Sequence, residues 1–144
     1  MLTENTIFRN VATNDYNEYI KLIHTDISKE KYDIFIDNVL GDYHQIIVLE
    51  LENKLIATGT LLIEEKLTYG GCKMGHIENI LVDETYRGKG YGELLVKELL
   101  DKAKIMKCYR VDLICNIELE NFYKKNNFNA SSISMSIFFK DNFK

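Results

Sequence analysis

Arg87-Gly88-Lys89-Gly90-Tyr91-Gly92 sets three glycines at alternate positions among two cations and a tyrosine. Glycine lets a backbone take φ > 0 and come close to a ligand, and the cations carry the sign of charge that phosphate requires. The apolar run Ile80-Leu81-Val82 precedes the segment and an amphipathic run from Leu94 to Met106 follows it, so the expected order is strand, glycine loop, helix. The first N–H groups of such a helix have no internal partner and sit at the positive end of its dipole. The pattern predicts an anion cradle; its alternative is a flexible turn with two solvated cations. It is not the ATP/GTP loop, which needs Lys and Ser/Thr after its last glycine. Nor is it the dinucleotide fingerprint G-x-G-x-x-G, because the glycines at 88, 90 and 92 are spaced G-x-G-x-G.

Positioning these residues falls to a chain of 144 residues, 46% hydrophobic, which predicts one domain, 1–144, with a real core. The net charge of −4 gives no support to nucleic-acid binding. No apolar run has the length of a membrane span and no signal segment opens the chain. Cys72, Cys108 and Cys115 lack metal-ligand spacing, so no metal is expected, and the protein reads as reduced and cytoplasmic, with Cys115 a small core residue. With 0 prolines, turns must use Gly, Asn and Asp.

The hydrophobic pattern predicts a strand at 7–11, then a helix capped by Asn14 or Asp15, and a second helix at 29–40 stopped by Gly41. A hairpin follows, 45–51 and 54–63, turning at Asn53. Gly70-Gly71 turns the chain into a strand at 73–82. A helix at 91–107 buries Leu95, Leu99 and Ala103 on one stripe. The remainder is a strand at 110–115, a helix at 118–125 ended by Asn127, and a last strand at 132–139. The order β, α, α, β, β, β, α, β, α, β argues for an α/β (α+β mixed) fold: a central mixed, mostly antiparallel sheet flanked by helices on both faces.

The segment 87–92 resembles the R/Q-x-x-G-x-G/A loop of the GNAT N-acetyltransferases, with Arg87, Gly90 and Gly92 on the key positions. The element order above is also that family's. Asn116-Ile117-Glu118-Leu119-Glu120-Asn121-Phe122-Tyr123 is similar to its N-x-x-A-x-x-F-Y segment, and Lys124 to Phe128 resembles x-K-x-G-F with Asn127 in place of Gly. One branch is closer still. Ala57-Thr58-Gly59, Ile63-Glu64-Glu65-Lys66, Gly75-His76-Ile77-Glu78-Asn79-Ile80 and Cys108-Tyr109-Arg110 are similar to segments of the glucosamine-6-phosphate N-acetyltransferases. That branch has polar residues where this chain has Ile114, Leu119 and Phe138, and Asp where it has Asn79.

The resemblance implies a GNAT fold and acetyl-coenzyme A as co-substrate. The donor would be held by backbone N–H groups of Ile80, Leu81 and Val82, by Arg87, Gly88, Lys89, Gly90, Tyr91 and Gly92, and by Asn116, Tyr123 and Lys125. It implies direct attack in a ternary complex by the amine of glucosamine 6-phosphate, a step toward UDP-GlcNAc. Tyr123 would protonate the leaving thiolate, and Glu78 would act as base or orient the amine; the alternative for Glu78 is a buried partner of a cation. His76, on the same strand face, reads as a packed, hydrogen-bonded histidine. His24, Thr25, Lys66, Glu78 and Asn79 are the implied acceptor contacts. A homodimer with the acceptor site at the interface is also implied, and the apolar 133–139 suits either such an interface or a core. Because of the apolar replacements, other acceptors stay open: another aminosugar, a polyamine, an amino acid or a protein. So does a non-catalytic acetyl-coenzyme A-binding module.

Overall fold

The computed structural model describes residues 5–139, which divide after Leu113 into two compact units. The first unit holds one five-stranded sheet in chain order: β1 (Thr6–Asn10), β2 (His44–Leu51), β3 (Lys54–Glu65), β4 (Lys73–Val82) and β5 (Cys108–Leu113). The first four strands are antiparallel neighbours; β5 returns parallel to β4. The sheet is thus mixed and mostly antiparallel. A tight turn joins β2 to β3, with Glu52 and Asn53 at φ 49° and 66°, and a longer loop at 66–72 joins β3 to β4, with Gly70 and Gly71 at 76° and 83°. Positive φ in two central turn residues matches the right-handed twist of paired strands. The parallel return instead needs a crossover, and α3 (Tyr91–Ile105) supplies it.

Helices cover both faces. On one, α1 (Tyr16–Leu22) and α2 (Lys29–Asn38) bury Tyr19, Leu22 and Tyr32 against Ile46, Val48 and Leu55. On the other lies α3, with Leu95, Val96 and Leu99 at 0% exposure and Ala103 at 1%. Its fit depends on two strand glycines. A Cβ on Gly75 would stand 3.1 Å from Val111 and 3.6 Å from Ala103. A Cβ on Gly59 would stand 2.7 Å from Ile80 Cδ1 and 2.9 Å from Leu99 Cδ1. The second unit contains a short turn at Ile117–Leu119 and α4 (Glu120–Lys125). No helix among the described residues is long and apolar enough to cross a membrane.

Several sequence expectations need correction. Asp15 does not cap α1 with its side chain; its carboxylate accepts from Arg9 and from the Ala12 N–H instead. Gly41 does not stop α2, which ends at Asn38, with the Val39 and Leu40 N–H groups both donating to the Phe35 carbonyl. The fifth strand lies two residues earlier than expected, leaving Ile114 exposed and Cys115 half-buried outside it. The helix expected at 118–125 is broken into the 3-10 turn and α4. No strand forms at 132–139: Ile133, Met135, Ile137, Phe138 and Phe139 are 77–91% exposed. A strand's N–H and C=O groups need a neighbouring strand, and this segment has none among the described residues.

Candidate active site

The chemistry collects at one end of β4. β5 pairs with β4 only as far as Ile77, which faces Leu113. β4 runs on to Val82, paired from there to β3 alone. The opposite edge from Glu78 to Val82 is therefore unpaired among the described residues, and a row of backbone donors and acceptors faces outward there. A bulge shapes this stretch. Thr58 pairs with Leu81 and Thr60 with Glu78, so Gly59 alone opposes Asn79 and Ile80. Asn79 takes φ 54°, a left-handed conformation that asparagine tolerates better than most residues, and bulges of this kind re-aim side chains. Gly59, missed as a site-shaping residue in the sequence, had a readable signal: an isolated glycine inside a strand marks a bulge or a close approach.

Glu78, just before the bulge, is exposed, and no cation pairs with it among the described residues. The alternative of a buried ion-pair partner is thereby set aside. His76 is hydrogen-bonded as expected, its Nε2 lying 3.0 Å from Glu64 Oε1. The same Glu64 carboxylate reaches Lys66 Nζ at 3.7 Å, so one acidic side chain on β3 contacts both His76 and Lys66. His76 leads the causes that keep the Glu64 carboxyl below its usual range, with Lys66 also contributing. Glu64 escaped the sequence reading. His24 (φ 54°) and Thr25 lie just beyond α1, their N–H groups donating to Lys21 and Ile20 carbonyls. No hydrogen bond or ion pair joins them to Lys66, Glu78 or Asn79 among the described residues.

Beyond Val82 the chain makes a turn at Glu84–Tyr86 and enters the glycine loop. Arg87 Nε donates to the Val82 carbonyl at 3.0 Å, fixing the loop to the strand end. Gly88 and Gly90 take φ 75° and 88°, and a Cβ on either would meet nothing within 4 Å, so open space lies before them. Gly90 is the N-cap of α3, and the helix's first bond runs from Leu94 N to Gly90 O. The N–H groups of Tyr91, Gly92 and Glu93 therefore have no intrahelical acceptor, and no side chain caps them. Positive-φ glycines, open space, uncapped donors and nearby cations fit a diphosphate. The residues present thus suit the coenzyme A expected from the sequence.

In the second unit, Asn116 precedes the Ile117–Leu119 turn and accepts from Leu119 N at 2.9 Å. Tyr123 on α4 is buried, its ring edge-on to Phe122 at 4.9 Å and to Phe128 at 5.8 Å. Burial pushes its phenol above the ordinary 10, and Cys115 adds to this. Asn127, at φ 70°, ends the helix as expected. Lys124 is paired with Glu120 at 2.8 Å, whereas Lys125 is exposed and has no ion-pair partner among the described residues.

Comparison with known proteins places these features in a lineage. The Acetyltransferase (GNAT) family model matches residues 11–128. A relative in Arabidopsis thaliana, described as glucosamine 6-phosphate N-acetyltransferase, is 39% identical over 78% of this chain and 78% of its own. One in Candida albicans with the same description is 31% identical over 94% of this chain and 97% of its own. A rice protein, described as a probable glucosamine 6-phosphate N-acetyltransferase 2, is 41% identical, and the match spans 63% of its length. The crystal structure of the Arabidopsis thaliana enzyme superposes with a TM-score of 0.90 at 35% identity, covering 95% of this chain and 100% of that one.

Proposed function

Since the chain belongs to the acetyltransferase (GNAT) family, we propose that it transfers the acetyl group of acetyl-coenzyme A to the amine of glucosamine 6-phosphate. The observation that carries the proposal is the open edge of β4 running into an uncapped glycine loop, both inside the stretch that the family model matches. The donor supplies an activated thioester; the rest is work for the chain.

The segment Ile80 to Val82 holds the donor's extended arm through the N–H groups that point off its open edge, which also donate to the thioester oxygen as negative charge builds there. Arg87, the loop from Gly88 to Gly92 and the free N–H groups of α3 hold the diphosphate, with Asn116 and Lys125 as further contacts. Glu78 takes a proton from the acceptor's ammonium, directly or through water, because only the neutral amine attacks. The N–C bond forms as the C–S bond breaks. Tyr123, kept protonated by burial, gives its proton to the departing sulfur. Lys66 meets the acceptor phosphate, with Glu64 holding it in place, and His24, Thr25 and Asn79 contact the sugar.

A homodimer completes this reading, with the acceptor site at its interface. Two features support it: the outer edge of β5 is unpaired among the described residues, and 133–139 is an exposed apolar segment with strand periodicity. We read the protein as one catalytic domain working in the cytoplasm. The test supplies acetyl-coenzyme A with a panel of amines and follows release of free thiol. Turnover with glucosamine 6-phosphate and not with glucosamine is the expected result. Turnover with a different amine alone overturns the acceptor, and no thiol release with any amine overturns the activity.

A further inference from the structure

Three cations stand about the glycine loop, and among the described residues none lies within ion-pair distance of a carboxylate: Arg87, Lys89 and Lys54. Elsewhere the chain neutralises many of its cations, as in Lys29 with Asp33, Lys66 with Glu64, Lys102 with Glu98, Arg110 with Asp112 and Lys124 with Glu120. Lys54 does not belong to the loop. It is the first residue of β3, delivered by the tight turn at Glu52 and Asn53. Its Nζ lies 5.3 Å from the centroid of the Tyr86 ring, and Lys89 Nζ lies 5.6 Å from the same centroid. Tyr86 in turn stands edge-on to Tyr91, the first residue of α3, at 6.2 Å.

Two ammonium groups are thus gathered on one ring at the mouth of the phosphate loop. An exposed cation–π contact contributes only about 0.5–1 kcal/mol, and two cations held on one ring repel one another. The nearest acid does little to compensate. Asp83 commits its Oδ1 to the Thr85 N–H and hydroxyl, and feels Lys54 and Arg87 through space only. A chain with net charge −4 therefore keeps a positive corner that its own carboxylates leave unmatched. That corner suits a polyanion with more phosphate than one loop can hold.

We propose that Lys54 and Lys89, gathered on Tyr86, form a second phosphate subsite that takes the ribose 3′-phosphate of the coenzyme. The inference rests on the reading that coenzyme A is the donor's carrier. It adds that the protein discriminates coenzyme A from dephospho-coenzyme A, which keeps the diphosphate and lacks only the 3′-phosphate. Lys54 is exposed on a hairpin turn, so replacing it leaves the core intact.

The test is equilibrium titration of the full chain with coenzyme A and with dephospho-coenzyme A, in wild type, Lys54→Gln and Lys54→Arg. Wild type is expected to prefer coenzyme A by roughly tenfold, the scale of a charge-assisted contact. Lys54→Gln should bring the two affinities to within about twofold, and Lys54→Arg should restore the preference. The preference should also shrink as salt is raised. Equal affinities in wild type, or a preference that Lys54→Gln leaves unchanged, overturn the subsite. Failure of both compounds to bind overturns the donor reading itself, a separate outcome.

Discussion

Tyr123 shows how a side chain can be packed and reactive at once. Phe122 and Phe128 hold its ring from the edge, so removing the hydroxyl alone leaves the packing in place. Tyr123→Phe should lower kcat by about 10²-fold, the usual scale for losing a positioned proton donor, and leave the KM for acetyl-coenzyme A within about threefold. Steady-state kinetics check this; unchanged kcat would remove Tyr123 from the reaction. Because burial raises the phenol above 10, the donor stays protonated through neutral pH. Any alkaline loss of kcat due to Tyr123 should come at higher pH than for an ordinary phenol and be missing in the variant. The types of these residues were legible in the sequence: Tyr123 after Phe122, the positive φ at Asn127, the glycines of the loop. Their partners were not. Glu64 on β3 meets His76 on β4, and Lys54 meets Tyr86 from the start of β3, because such contacts depend on strand register and not on sequence spacing.

At the scale of elements, Gly59 couples the bulge to the helix behind it. Gly59→Ala puts a methyl against Ile80 and Leu99 at less than van der Waals distance. Overpacking of this kind costs about 1–3 kcal/mol, so thermal unfolding should occur several degrees lower. An unchanged Tm would mean that β3 and α3 can separate freely. Arg9 provides a second case. It ties β1 to β2 through Glu50 and to the Thr13–Asp15 turn through a bidentate pair with Asp15. Burial works to raise the Asp15 carboxyl, yet the bonds from Arg9 and the Ala12 N–H hold it below its usual range. A lowered carboxyl stabilises above its unfolded pKa, and that contribution is lost as pH falls through the folded value, here below about pH 4. Arg9→Leu should destabilise by about 2 kcal/mol at pH 7, less than a fully buried pair because Arg9 is partly solvated. Urea unfolding across pH should show the gap to wild type narrowing below pH 4. Strand and helix order was readable because apolar period and turn residues agree. The slip of β5 was not, since Ile114 and Cys115 prolong the apolar run beyond the last backbone pair.

For the whole molecule, the segment 132–139 poses the question that one chain leaves open. Ile133, Met135 and Ile137 alternate with Ser132, Ser134 and Ser136, the period-2 pattern of a half-buried strand. That pattern predicts a strand, but the segment forms none, because no partner strand lies beside it among the described residues. If a second copy supplies that partner, Ile137→Asp should shift the solution mass from dimer toward monomer and lower turnover with it; sedimentation velocity reads the first. A wild-type chain that is monomeric at micromolar concentration would remove the interface. The open edge of β4 has a further consequence, in the time domain. Amides pointing off the edge between Glu78 and Val82 have no strand to protect them, so in the free protein they should exchange with deuterium rapidly while those facing β3 exchange slowly. Saturating acetyl-coenzyme A should slow the first set to resemble the second, making the donor, in exchange terms, a temporary sixth strand.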